Sequence, residues 1–272
     1  MISPATAGLV DLQQILSKQI RGLTDNPDTL DQLPHKLTIY HQLLLGQSGK
    51  VPSAHSLYEE AQALMFAGAD TTGNTLMLGT YYLLKSAAAY STLKEELKSC
   101  WPELSQAPQL RQLEQLPYLN AVIKEALRMS SGVVSGLLRV VPEGGAKIAS
   151  YYVPAGAIVS CGSTFVHYNS KIFPSPHEFQ PERWLNQPGL DQWLVAFSRG
   201  PRSCLGINLA WMELRLSFAH FFRRFDMELD ASSPDKLEVR CTCCRHLDVL
   251  LMLWYSFTML FYPSFPGHTS RQ

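Results

Sequence analysis

A mainly α-helical chain with a small β region is what this sequence predicts, and three observations carry that expectation. Apolar residues recur at helical spacing through several long stretches, the longest from Ser56 to about Leu84. One stretch, Arg139 to Ser163, instead carries short β-branched runs such as Ala157-Ile-Val-Ser160, cut by Pro142, Gly144-Gly145 and Pro154-Ala-Gly156. No internal repeat or low-complexity linker is present, and 272 residues at 46% hydrophobic composition suffice for one or two packed domains.

Taken in order, Leu9 to about Leu23 reads as an amphipathic helix that stops before the Asp25-Asn-Pro27 turn. A second helical stretch runs from about Leu30 to Leu45, and a loop follows from Gly46 to Pro52. Ser56-Leu-Tyr-Glu59 has the spacing of a capping box and opens the long helix. Gly68, Thr71, Thr72 and Gly73 fall in the middle of that helix, where their poor helix propensity predicts a local weakening. Further helices are expected over Ala88 to Ser99 and Tyr118 to Met129, then irregular proline-rich chain from Phe173 to Pro188. From Ile207 the apolar spacing is again helical.

Charge and cysteine content narrow the function classes. The 23 basic and 23 acidic residues cancel, so no global field recruits nucleic acid or an anionic membrane, and no nucleic-acid partner is expected. Met1-Ile-Ser-Pro-Ala5 is neither a signal peptide nor a membrane anchor. Six cysteines, Cys100, Cys161, Cys204, Cys241, Cys243 and Cys244, are scattered without a disulfide framework, which suits a reducing compartment. Cys241 and Cys244 with His246 resemble half of a zinc site, but the second ligand pair that a structural zinc needs is missing. Val249 to Tyr262 is uncharged but shorter than the roughly 20 residues of a spanning helix, and reads as a buried or disordered apolar tail.

Phe197-Ser-Arg-Gly-Pro-Arg-Ser-Cys204-Leu-Gly206 is the stretch richest in chemistry. Gly200 and Gly206 let the backbone turn sharply and come close to a flat ligand. Cys204 stands just before a helix, where the positive end of the dipole and free N–H groups favour a thiolate. Arg199 and Arg202 add positive charge and can pair with acidic groups of a cofactor. A thiolate so placed is the environment that a haem iron needs for O–O cleavage. A buried structural cysteine in a turn is the plainer alternative, although the Phe-x-x-Gly-x-Arg-x-Cys-x-Gly frame rarely arises by chance.

These residues resemble the haem-binding loop of the cytochrome P450 monooxygenases. Three further motifs agree with that family in order: Ala67-Gly-Ala-Asp70-Thr71-Thr72, Glu125-Ala-Leu-Arg128 and Pro181-Glu-Arg183-Trp184. The resemblance runs from about Ser53 to about Leu229, and the wording around Val140-Val-Pro-Glu-Gly-Gly145 is closest to fungal members of secondary metabolism. It implies the C-terminal half of the P450 fold, divided into short helical segments over 1–52, a haem-binding region over 53–229 and a divergent tail over 230–272.

The resemblance also implies roles. Thiolate-ligated haem (iron protoporphyrin IX) would be held by Cys204 as the iron's axial ligand. Gly68, Arg139, Phe197, Arg202 and Gly206 would line the cofactor, with Arg139 aimed at a propionate in the bidentate geometry arginine suits. Asp70 and Thr71 would relay protons during oxygen activation. The plainer reading of the threonines is a bond back to the i−4 carbonyl. Glu125, Arg128 and Arg183 would form a structural triad, and Val133, Val134 and Leu137 would face substrate. The expected partners are an NADPH-dependent reductase and a small apolar metabolite. Full-length relatives are expected at the endoplasmic reticulum membrane.

Two departures qualify the activity. The family's amino-terminal half, with its anchor and much of the substrate pocket, has no counterpart in this sequence. The family's closing hairpin is replaced by the cysteine cluster and an apolar tail, as a shifted reading frame or retained intron would give. The expectation is therefore a truncated relative that is inactive on its own. The alternatives are an active monooxygenase whose other half was lost from the gene model, and a non-enzymatic fragment that binds partner proteins through exposed apolar surface.

Overall fold

The computed structural model describes residues 4–32, 38–44, 51–133, 136–230 and 233–234. The helices are α1 (Pro4–Asp25), α2 (Ile39–Leu44), α3 (Ala54–Lys85), α4 (Ala87–Cys100), α5 (Leu110–Leu113) and α6 (Pro117–Ser130). Four short strands follow, β1 (Arg139–Val140), β2 (Ala146–Ile148), β3 (Tyr151–Val153) and β4 (Ile158–Val159). The chain then returns to helix in α7 (Ser163–His167), α8 (Arg183–Asn186) and α9 (Ile207–Arg224). The mainly helical class with a small β part is thus what the chain adopts. Among the described residues no helix is long and apolar enough to cross a membrane.

The chain divides into two compact units, one taking in residues up to Ala67 and one Gly68–Asp235. In the first, Leu16 and Ile20 of α1 pack with Leu57 and Ala61 of α3, and Tyr40, Leu43 and Leu44 of α2 border them. In the second, Leu93 and Leu97 of α4, Leu119, Val122, Ile123 and Ala126 of α6, and Leu214, Phe218 and Phe222 of α9 share one core. Each such large apolar side chain, fully buried, stabilises the fold by about 1.5–3 kcal/mol.

Helix α6 is the centre of this unit, because eleven of its 14 residues are buried. A helix buried all round must satisfy its polar ends from within the protein. At its start Pro117 removes one free N–H. The Glu96 carboxylate of α4 takes two more, accepting from the Tyr118 and Leu119 N–H groups at 2.8 Å each. At its end Ser131 turns into the left-handed region with φ 56°, while its N–H still donates to the Leu127 carbonyl.

Several local expectations need correction. The long helix begins at Ala54, so the cap is Ser53, whose Oγ accepts from the Ser56 N–H at 3.2 Å. Ser56 lies inside the first turn. The Gly68-to-Gly73 stretch does not interrupt α3, which is continuous over 32 residues. Propensity costs of about a kcal/mol per residue are outweighed by the packing of its flanks. The region expected as one helix over 30–45 holds a 3-10 turn at Pro27–Gln32 and the short α2, with residues 33–37 outside the described residues. Sequence periodicity missed α5, α7 and α8, each of five residues or fewer and too short to show a period. The β region forms two antiparallel pairs, Arg139 opposite Val159 and Ala146 opposite Val153.

Candidate functional site

A buried polar assembly is centred on Glu125, itself wholly buried in α6. Glu125 and Arg128 lie one helical turn apart, so they share a face. Arg128 Nε donates to Glu125 Oε2, and Arg128 Nη2 to Oε1, both at 2.9 Å. Arg183 of α8 reaches the same carboxylate with Nε at 3.2 Å. The neighbouring Trp184 indole N–H donates to Oε2 at 2.8 Å, and the Gln180 N–H donates to Oε1 at 3.0 Å. Five donors therefore converge on one carboxylate, which is what a buried charge requires.

The two guanidiniums are satisfied by main chain. Arg128 Nη1 donates to the His167 and Pro176 carbonyls at 2.9 and 2.7 Å, and Nη2 also reaches the Glu178 carbonyl at 3.2 Å. All five N–H groups of Arg128 thus have acceptors. Arg183 donates to the carbonyls of Pro174, Ser175 and Glu178. Burial lowers the Arg183 pKa from its ordinary value, and the Glu125 charge opposes that shift. The irregular proline-rich chain from 173 to 182 is held in place as a set of carbonyl acceptors.

Beyond this assembly lies the loop of Cys204. Its backbone reverses at Gly200, whose φ of +74° favours glycine, and runs through a 3-10 turn, Gly200–Arg202. The Cys204 N–H donates to the Phe197 carbonyl at 2.8 Å, and the Ser203 N–H donates to that of Gly200 at 2.9 Å. Gly206 precedes α9 with φ −88°, so its role there is space rather than an unusual dihedral. A Cβ on Gly200 or Gly206 would meet nothing within 4 Å. The Cys204 thiol is exposed, as are Arg202 and, at 92%, Leu205. Phe197 is half-buried, its ring centroid 6.3 Å from that of Trp211 in α9. Arg199 Nη2 donates to the Gln192 carbonyl.

The other described residues of the expected site lie on α3, on β1 and in the chain before β1. Gly68 and Asp70 are exposed on α3 and Thr71 is half-buried. One turn further along α3, Thr75 bonds back, its hydroxyl donating to the Thr71 carbonyl at 3.0 Å and meeting Ser130 Oγ at 2.9 Å. Arg139 is half-buried, and its Nη1 donates to the adjacent Leu138 carbonyl at 3.0 Å. Val133 and Leu137 are exposed, while Val134 lies outside the described residues. So does the Cys241, Cys243, Cys244 and His246 cluster with the whole apolar tail.

One participant was not expected. His167, at the end of α7, is completely buried. Its ring Nε2 accepts from the Val195 N–H at 3.0 Å, and its carbonyl accepts from Arg128. Burial, aided by the Arg128 charge, pushes its pKa down to about 4. Nothing in the run Phe165-Val-His-Tyr-Asn169 marks it, because both partners lie at least 28 residues away.

The donor set fits a haem-thiolate centre: the exposed Cys204 thiol, in a glycine-flanked loop, stands at a helix start beside exposed apolar and cationic side chains. Comparison with known proteins agrees. The profile of the family described as Cytochrome P450 matches residues 10–242. Cytochrome P450 monooxygenase MO6277 of Ascocoryne sarcoides is 40% identical over 222 residues, covering 80% of this chain and 42% of that one. Cytochrome P450 monooxygenase BOT1 of Botryotinia fuckeliana is 42% identical over 193 residues, covering 71% and 38%. A protein of Claviceps fusiformis named as an inactive cytochrome P450 monooxygenase, cloA, is 43% identical over 179 residues, covering 65% of this chain and 35% of its own. This chain spans about two fifths of the length of these relatives.

Proposed function

Since this chain belongs to the cytochrome P450 family, we propose that it is the haem-binding portion of a fungal monooxygenase of secondary metabolism, with Cys204 as the residue whose thiolate would ligate the iron. The carrying observation is the Cys204 loop itself, with an exposed thiol on a backbone pinned at Phe197 and Gly200, immediately before α9.

The proposed reaction consumes an apolar metabolite R–H, O₂, NADPH and a proton, and yields R–OH, water and NADP⁺. Family members draw the two electrons from a redox partner, here an NADPH-dependent reductase. When bound, haem supplies the site of O₂ reduction, and thiolate ligation, for which cytochromes P450 are the standard case, favours O–O cleavage. The chain's own residues do the rest. Cys204 would hold the cofactor through its thiolate. The exposed guanidinium of Arg202 and the half-buried one of Arg139, whose Nη1 bonds the adjacent Leu138 carbonyl, would turn towards propionates. Phe197 packs beside the loop, and the open space at Gly206 admits a flat ring. Asp70 and Thr71 hold and pass protons, while Val133 and Leu137, with Val134 between them in sequence, offer apolar surface to substrate. Glu125, Arg128 and Arg183 keep the frame rigid and take no part in the chemistry.

We also propose that residues 1–272 by themselves do not turn over substrate. Val133, Leu137, Leu138, Val140, Ile158 and Phe165 are all exposed. The described residues thus supply no enclosing wall, and a water-excluded pocket is what controlled O₂ chemistry needs.

The test is to express residues 1–272 and the Cys204→Ala variant with haem precursor, then add reductase, NADPH and candidate apolar substrates. A thiolate-type Soret band in the reduced, carbon-monoxide-treated protein, lost in Cys204→Ala, is expected, with no NADPH-dependent product. A band unchanged in Cys204→Ala overturns the ligand assignment. Product formation restores an active enzyme in place of an inactive one.

A further inference from the structure

The carboxylate assembly around Glu125 and the cysteine loop are separate in sequence, and one ring connects them. His167 meets the assembly through its main chain, since its carbonyl accepts from Arg128 Nη1 at 2.9 Å. It meets the loop through its side chain, since Nε2 accepts from the Val195 N–H at 3.0 Å. Val195 stands at the root of the loop: its carbonyl accepts from the Ser198 N–H at 2.9 Å. Ser198 occupies the left-handed region with φ 60°, a conformation a serine keeps only where its surroundings impose it. The next carbonyl but one, that of Phe197, holds the Cys204 N–H at 2.8 Å. A succession of four hydrogen-bonded groups thus runs from Arg128 through His167 and Val195 to the loop.

The chemistry of the ring is fixed by this arrangement. A backbone N–H can only donate, so Nε2 must carry its lone pair and the proton must sit on Nδ1. Nδ1 is buried without a hydrogen-bond partner among the described residues. The ring lies edge-on to Phe173, at 6.3 Å between centroids and 88° between planes. Keeping an unpartnered buried N–H is costly, and an apolar side chain of similar size would avoid it. The acceptor at Nε2 is what such a side chain could not provide.

We propose that His167 is a positioning residue. Held as the neutral Nδ1–H tautomer, it transmits the register of the Glu125–Arg128–Arg183 assembly to the Cys204 loop through the Val195 amide. Its effect on the loop backbone is independent of any cofactor, while its bearing on iron ligation rests on the assignment of Cys204 made above.

The experiment uses the full 272-residue chain without haem and compares wild type, His167→Leu and His167→Gln. Leucine keeps the bulk and the main-chain carbonyl but removes the acceptor. Glutamine restores an acceptor oxygen at the reach of Nε2. Amide hydrogen exchange is read at Val195, Ser198 and Cys204, and the Trp184 indole N–H, bonded to Glu125, reports on the assembly itself. The expected result is exchange faster by about tenfold or more at the three loop amides in His167→Leu, as for one lost buried hydrogen bond. Trp184 protection should persist, and His167→Gln should stay close to wild type. Unchanged loop exchange in His167→Leu, or equal loss in His167→Gln, overturns the proposal. Should His167→Leu unfold altogether, the ¹⁵N shifts of the wild-type ring decide: a protonated Nε2 refutes the tautomer, an unprotonated one supports it. Haem titration of the same variants, read at the thiolate-type Soret band, separates the two assignments. Weaker binding in His167→Leu with rescue in His167→Gln extends the role to the ligand. Loss of loop protection with no haem binding in any variant supports the positioning role and defeats the haem assignment alone.

Discussion

Glu125 illustrates how a single charge is tolerated in an apolar core. Its two oxygens accept from Arg128, Arg183, Trp184 and the Gln180 N–H, and neither of the two charged partners is appreciably exposed. Glu125→Gln keeps the shape but leaves two buried guanidiniums without a counter-charge. The expected loss is roughly 3–5 kcal/mol of stability, read as a lower urea midpoint. His167 gives a prediction of a different kind. Its folded pKa of about 4 lies below the ordinary 6.5, so the unfolded chain binds a proton that the folded chain refuses between those values. Its contribution is therefore full above about pH 6.5, declines as pH falls through the window, and is gone by about pH 4, a change on the order of 3 kcal/mol. Urea midpoints at several pH values should show this acid loss in wild type and a correspondingly flatter profile in His167→Gln. The two residues also differ in legibility. The three-residue spacing of Glu125 and Arg128 puts both on one face by geometry alone, whereas Arg183, 58 residues from Glu125, is associated with it only through the resemblance. His167 has no local signature at all.

Helix α3 shows where reasoning from propensity succeeds and where packing overrules it. Its apolar spacing identifies the element, yet the glycines within it have different roles that the sequence does not distinguish. Gly79 faces the core: a Cβ there would stand 2.6 Å from Phe218 Cζ of α9 and 2.8 Å from Ala126 Cβ of α6. Gly73 is exposed, with nothing within 4 Å of the corresponding point. Gly79→Val should destabilise by about 1–3 kcal/mol through overpacking, while Gly73→Ala should be neutral or stabilise by up to about 1 kcal/mol through helix propensity. Thermal unfolding of the two variants side by side measures the contrast, and equal effects would place both glycines in the same environment. The start of α3 teaches the same lesson, since the capping-box spacing points to Ser56 and the first turn's hydrogen bonds choose Ser53. The short helices α5, α7 and α8 are set by the tertiary contacts of their side chains, which no window of four or five residues can encode.

For the whole molecule, what could be read in advance was the class and the order of the long helices. What could not be read was the way distant segments meet, because that is decided by burial. The Pro174-to-Glu178 stretch looks like featureless loop, and its value lies in carbonyl groups that every residue possesses. That feature has a kinetic consequence. The Glu125 contacts to Gln180, Arg183 and Trp184 close chain segments of 55 to 59 residues. Helices α4 and α6 lie close in sequence and can pack before those segments close, which puts the carboxylate cluster on the late, native side of the folding barrier. Glu125→Gln should therefore leave refolding almost unchanged and accelerate unfolding by roughly a hundredfold to several thousandfold, which stopped-flow unfolding in urea would resolve. The cluster then acts as a clock: it governs how long a folded chain lasts before a protease or an aggregate can capture it, rather than how quickly the chain arrives.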